Sequence, residues 1–168
     1  MTQTVIGIAG WKNSGKTTLT IHLVAELVAR GLTVSTVKHA HHDAEVDHPG
    51  TDSYRHREAG AREVALVTGR RWALMHELRD APEPGLDEIL GRLSPVDLII
   101  VEGFKRAAIP KIEVRRTEAV DSTPLDDDPN VIAIAGDVAV PGSPLPFFNL
   151  DDISGLADFV VSHLRLGK

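Results

Sequence analysis

The chain has 168 residues, 42% of them hydrophobic and 25% charged, which suits a single globular domain over residues 1–168 with a sizeable core. It contains no cysteine, so disulfides, thiolate metal centres and cysteine nucleophiles are excluded. The net charge of −6 is uneven, with residues 1–117 summing to +1 and residues 118–168 to −7, and it offers no broad basic field for nucleic acid. No apolar stretch approaches the roughly 18 residues a membrane span needs. The first residues also lack the basic region, long apolar core and cleavage site of a secretory signal. The expectation is a cytoplasmic protein with neither membrane nor nucleic acid as partner.

Val5-Ile6-Gly7-Ile8-Ala9 reads as a buried strand. It runs into Gly10-Trp11-Lys12-Asn13-Ser14-Gly15-Lys16-Thr17, which fits G-x-x-x-x-G-K-[ST] at every fixed position. The spacing has a mechanical reason: successive backbone N–H groups must turn inward to wrap a polyphosphate. Gly10 and Gly15 allow the close approach, Lys16 can reach the terminal phosphates, and Thr17 can offer its hydroxyl to magnesium. Thr17 to Arg30 follows as a helix, with Leu19, Leu23 and Leu27 at four-residue steps and Gly31 as its stop. Strand, loop and helix in that order identify a phosphate-binding loop. Its nucleotide contacts are expected from Gly10, Trp11, Lys12, Asn13, Ser14, Gly15, Lys16, Thr17 and Thr18.

A second strand, Leu32 to Lys38, leads into Lys38-His39-Ala40-His41-His42. Five of the eight histidines fall between His39 and His56, with Asp43, Glu45, Asp47 and Asp52 among them. Gly50-Thr51-Asp52-Ser53 enters a helix running to about Ala59, with Asp52 or Ser53 as cap. Glu63 to Thr68 reads as a strand broken by Gly69-Arg70-Arg71, and Trp72 to Leu78 reads as a further strand in preference to a short helix. Leu86 to Leu93 reads as a helix, and Val96 to Val101 as the most apolar strand, fit for the centre of a parallel sheet. Lys111 to Arg115 alternates like a half-exposed strand, Asp126-Asp127-Asp128-Pro129 makes a turn, and Val131 to Ala135 is another buried strand. A final helix spans Asp152 to Leu164. Strands alternating with helices predict an α/β three-layer sandwich of the P-loop NTPase type with a mainly parallel sheet.

Ligands in such sheets lie beyond the carboxyl ends of the strands. That rule gathers the loop, Lys38, His39, Glu102 and Asp137 on one rim and sends Asp97 to the other. Glu102 reads as a magnesium ligand, or as a strand-end acid turned to solvent. Asp52 is either a second carboxylate ligand or only a cap, and Lys38 either a second cation on the phosphates or a surface lysine. Asp137 either accepts hydrogen bonds from a guanine edge or belongs to a turn. His39, His41 and His42 read as substrate or partner contacts, as a metal site, or as without role. Arg55, Arg57, Lys105 and Arg106 form a basic lip or are simply solvated charges.

Four blocks carry a resemblance over nearly the whole chain. They are Gly10 to Leu19, Val37-Lys38-His39-Ala40-His41-His42, Asp47-His48-Pro49-Gly50-Thr51-Asp52-Ser53-Tyr54-Arg55, and Val101-Glu102-Gly103-Phe104-Lys105 with Pro110-Lys111-Ile112-Glu113. Together they resemble the molybdopterin-guanine dinucleotide biosynthesis protein B family. The resemblance implies GTP and Mg2+ as cofactors and weak GTPase activity. It implies a homodimer that assists the molybdenum cofactor guanylyltransferase in attaching GMP to molybdopterin. Through kinship with dethiobiotin-synthetase-like proteins it implies that Thr17, Asp52 and Glu102 hold the magnesium, with Lys16, Glu102 and Asp52 carrying what chemistry there is. The chain has no Asn-Lys-x-Asp element, so base preference rests on the resemblance alone. Two other readings compete: a small-molecule kinase or ATP-dependent ligase of the dethiobiotin-synthetase type, and a nucleotide-gated metal carrier using the histidine loop.

Overall fold

A computed structural model describes residues 3–40, 46–117, 119, 125, 128–139 and 141–167. It divides into two compact units, residues 1–39 with 89–168, and residues 40–88.

The larger unit is built on six strands: β1 (Val5–Gly10), β2 (Val34–Lys38), β5 (Leu98–Glu102), β6 (Lys111–Arg115), β7 (Val131–Gly136) and β8 (Phe147–Asn149). Their order across the sheet is β2-β5-β1-β6-β7-β8, and every neighbouring pair is parallel. Two helices, α1 (Lys16–Ala29) and α4 (Ile153–Leu164), pack together against one face. Leu19, Leu23 and Leu27 of α1 and Leu156, Ala157 and Val160 of α4 meet Ile6, Ile8, Ile100, Ile112 and Val114 in one cluster. Ile99 and Val101 point to the opposite face and are also fully buried, so the sheet is covered on both sides. This is the expected three-layer α/β architecture.

The helix ends follow from local chemistry. Gly31, at φ 87°, lets the chain leave α1 in a left-handed turn: its N–H reaches the Val28 carbonyl while Leu32 N–H reaches that of Leu27. Asp152 caps α4 by accepting from Gly155 N–H at 3.0 Å.

β6 departs from the sequence expectation. It is not half-exposed but lies between β1 and β7, with Lys111 and Glu113 about 1% exposed. The alternation of charged and apolar residues is present, but both faces are covered. The charges survive because each has a partner. Lys111 pairs with Asp128, and Glu113 binds Arg115 at 2.7 Å and accepts from Leu125 N–H at 2.9 Å. With both edges taken by sheet neighbours, β6 has no edge to extend a sheet across a dimer.

The smaller unit holds α2 (Asp52–Glu58) and an antiparallel ribbon of β3 (Glu63–Val67) and β4 (Trp72–His76), joined by a turn that Thr68 and Arg71 close. Helix α3 (Leu86–Arg92) follows it in the chain. The cap of α2 is Thr51, one residue before the expected Asp52 or Ser53; its hydroxyl accepts from Tyr54 N–H. Arg57 is held by Asp47 at 2.9 Å and Glu77 at 3.5 Å, so it is not simply a solvated charge. His41, His42, Asp43 and Glu45 of the histidine loop, and Asp126 and Asp127 of the acidic turn, lie outside the described residues. Among the described residues no helix is long and apolar enough to cross a membrane.

Candidate functional site: a phosphate loop and the strand ends beside it

The loop between β1 and α1 has the geometry an anion needs. Gly10 (φ 147°) ends β1 where an added Cβ would stand 2.6 Å from the Val114 carbonyl oxygen, so the close passage of β1 and β6 excludes any side chain. Asn13 (φ 63°) and Gly15 (φ 93°) supply further left-handed turns. Gly15 also sits at the N-cap of α1, where no side chain caps the helix. The first-turn amides of a fourteen-residue helix are therefore left for a ligand, at the positive end of its dipole. Ser14 is buried beneath the loop, whereas Lys12, Asn13, Thr17 and Thr18 are exposed.

Lys16 folds back to donate from Nζ to the Trp11 carbonyl at 2.5 Å. Burial pulls its ammonium below the ordinary lysine value of 10.5, Lys105 and Lys38 push the same way, and the Glu102 carboxylate opposes them. Glu102 closes β5 and is 8% exposed. The parallel pairing of β5 with β1 and β2 brings it beside Ile8 and Lys38. Thr17 Oγ1 donates to Glu102 Oε1 at 2.8 Å, and Lys38 Nζ lies 3.3 Å from both oxygens. The buried carboxylate thus has a hydroxyl and an ammonium as partners, and the reading of a bare solvent-facing acid fails. A hydroxyl and a carboxylate converging at hydrogen-bond distance are hard oxygen donors, the set that suits magnesium beside a polyphosphate. A cavity of about 350 Å³, lined by Thr20, Ile21, Val24 and Thr36, opens next to Thr17, Lys38 and Glu102.

Lys16, Thr17, Lys38 and Glu102 are thus brought together, as the strand-end rule anticipates. Asp97 lies just before β5, at the other end of the sheet, where its carboxylate accepts from Thr33 N–H at 2.7 Å and Thr33 Oγ1 at 2.6 Å. Asp52 belongs to the smaller unit, as the exposed first residue of α2. Asp137, directly after β7, accepts from Thr117 N–H and from Thr117 Oγ1 at 2.8 Å, and these bonds hold its carboxyl below the usual range. His39 stacks on Phe104 with ring centroids 4.6 Å apart. Gly103 (φ 97°) makes that approach possible, because a Cβ there would lie 2.8 Å from His39 Cβ. Among the described residues no group of three or more His, Asp or Glu is arranged to hold a metal ion.

The model of the family described as molybdopterin guanine dinucleotide synthesis protein B (MobB) matches residues 5–137. The chain belongs to the MobB family. The molybdopterin-guanine dinucleotide biosynthesis adapter protein of Escherichia coli K12 is 42% identical over 164 residues, covering 96% of this chain and 93% of that protein. The protein of the same name from Haemophilus influenzae is 39% identical, covering 96% and 89%. The crystal structure of Bacillus subtilis MobB superposes with a TM-score of 0.75 at 27% identity, over 98% of this chain and 99% of that one.

Two basic residues of this MobB chain sit where sequence reasoning did not put them. Lys105, read as part of a basic lip, lies 3.6 Å over the Trp11 ring and so covers the first variable position of the phosphate loop. Arg116 belongs to none of the motifs in the sequence. Its guanidinium covers Gly15, where an added Cβ would be 3.2 Å from Nε. It follows β6, which runs parallel beside β1 with Val114 opposite Gly10. The strand-end rule that found Lys38 and Glu102 would have found Arg116 too, had β6 been recognised as β1's neighbour.

Proposed function

We propose that the chain is a GTP-binding adapter with weak Mg2+-dependent GTPase activity that assists attachment of GMP to molybdopterin. The observation that carries this reading is the uncapped helix behind a complete phosphate loop, with Thr17 and Glu102 joined at its mouth at 2.8 Å. The names of the similar proteins, molybdopterin-guanine dinucleotide biosynthesis adapter proteins, support the role and the guanine preference. In this reading residues 1–168 work as one nucleotide-binding domain in the cytoplasm. The loop amides from Gly10 to Thr18 and Lys16 hold the phosphates, and Lys38 adds a second cation. Thr17, Glu102 and Asp52 would hold magnesium, whose chemistry is to neutralise charge on the β- and γ-phosphates. Asp137 meets the guanine edge by exchanging its bonds to Thr117. With no glutamine placed to orient water, turnover is slow, as befits an adapter.

Two expected outcomes follow from the geometry. The first concerns pH. Lys16 has a lowered pKa in the free protein, and a bound phosphate raises it, so binding takes up a proton wherever Lys16 has begun to lose one. GTP affinity, followed by calorimetry as pH is raised from neutrality, should therefore fall, and should begin to fall earlier than the ordinary lysine value of 10.5 would allow. A flat profile would show that Lys16 does not meet the phosphates. The second concerns assembly. Val67 and Trp72 on one face of the ribbon are 73% and 69% exposed, with Leu74 at 49% beside them and Leu66 at 50% on the other face. A two-stranded ribbon with apolar residues on both faces is marginal alone, and a second copy of the chain would cover it in a homodimer. Light scattering should report dimers, and Trp72→Asp should weaken them at least about tenfold. Wild-type monomers at every concentration would refute the homodimer.

The adapter role is tested by retention of purified molybdenum cofactor guanylyltransferase on immobilised protein. Retention that strengthens with GTP supports the role, and no retention with or without nucleotide overturns it. The cavity beside Lys38 and Glu102 favours one second reading, a small-molecule kinase or ligase whose acceptor would occupy it. ATP-driven phosphorylation of a metabolite would select that reading.

A further inference from the structure

β2 and β5 run parallel with Lys38 directly opposite Glu102, and the consequence is a triangle of polar atoms at the mouth of the phosphate loop. Thr17 Oγ1 and Glu102 Oε1 are 2.8 Å apart, and Lys38 Nζ is 3.3 Å from each. The hydroxyl donates to the carboxylate and accepts from the ammonium. An ammonium therefore already satisfies the two oxygens that a divalent ion would need.

The two cations exclude one another. A magnesium ion sits about 2.1 Å from its oxygen ligands. With the oxygens 2.8 Å apart and the nitrogen 3.3 Å from both, an ion binding the pair would lie at most about 4.6 Å from Nζ, wherever it entered. A double charge and a single charge at that range, beside the buried Glu102 carboxylate, repel strongly. The lysine is the partner that can move. Its side chain is 58% exposed, and its flexible stem can carry the ammonium to another anion.

We propose that Lys38 is a built-in counter-ion that occupies the metal position of the nucleotide-free protein and leaves it only when a polyphosphate offers its ammonium a new partner. Metal binding is thereby made conditional on nucleotide, and the free protein carries no divalent ion between Thr17 and Glu102. The inference rests on the nucleotide reading of the loop and adds to it a rule for the order of loading. Lys38 acts here as a positioning residue.

The test uses the full chain without nucleotide and Mn2+ as probe, with free ion followed by its paramagnetic resonance signal. Wild-type protein should bind Mn2+ weakly, Lys38→Met at least about tenfold more tightly, and Lys38→Arg, which keeps the charge, as weakly as wild type. Adding Glu102→Gln to Lys38→Met should remove the gain, which places the ion at Glu102. Thermal melts followed by circular dichroism confirm that each variant is folded. Equal Mn2+ affinity of wild type and Lys38→Met, or a Lys38→Arg protein that binds like Lys38→Met, overturns the proposal. Affinity for a fluorescent GTP analogue without metal is measured on the same proteins. Failure to bind it would refute the nucleotide reading, while the Mn2+ comparison still decides the role of Lys38.

Discussion

Lys16→Ala should lose GTP affinity by at least about a hundredfold, roughly 2.7 kcal/mol, when binding is followed by calorimetry. The size follows from what the side chain does. Lys16 is a partly buried ammonium that donates a hydrogen bond to the Trp11 carbonyl of its own loop. That contact folds the side chain over the space a phosphate would occupy, and a phosphate is the stronger acceptor, because it meets the ammonium with a full opposite charge where the carbonyl offers only a dipole. Burial disfavours the charged form of Lys16 in the free protein, so an anion arriving beside it relieves an existing penalty as well as adding an attraction. The fold should not suffer, since the alanine removes no core contact and improves helix propensity at the first position of α1. An affinity within about twofold of wild type would mean that the loop does not hold a polyphosphate.

Glu102→Gln should weaken the Mg2+ dependence of nucleotide binding at least about tenfold, and Asp97→Asn should leave it within about twofold. The pair isolates position on the sheet, because the two acids stand at opposite ends of the same strand. Five residue steps along the strand separate them by about 16 Å, more than the Debye length of about 8 Å at physiological salt. Asp97 is also occupied, clamped to Thr33 through backbone and hydroxyl. Glu102 meets the Thr17 hydroxyl instead. Glutamine keeps the shape and the hydrogen bond to Thr17 but not the charge, so a metal loses its anionic ligand while the strand end stays packed. Equal effects of the two substitutions would show that the rim has been assigned wrongly.

Much of this site is legible in the chain because it is written in local pattern. The phosphate loop is a contiguous motif, and Lys38 and Glu102 fall at the carboxyl ends of segments that read as strands, so one rule about parallel sheets places them. What escapes is what depends on pairing. The alternation of Lys111 to Arg115 carries no sign that Asp128, Arg115 and Leu125 N–H would neutralise its charges, so a buried strand reads as half-exposed. Arg116 was missed for the same reason: its place over Gly15 follows from β6 lying next to β1, and sequence order says nothing of that adjacency. The cap of α2 fell to Thr51 because adjacent Thr, Asp and Ser all have the oxygen for it, and only backbone angles choose between them. The cation–π contact of Lys105 with Trp11 joins residues 94 positions apart and has no local signature at all.

In the proposed function one guanine nucleotide is gripped by the loop amides and Lys16. The most direct test of that grip is calorimetric titration of the purified chain with a non-hydrolysable GTP analogue and, in parallel, with the ATP counterpart. One guanine nucleotide should bind per chain, tightened by Mg2+ and preferred over adenine. No measurable binding of either nucleotide in the presence of Mg2+ would contradict it.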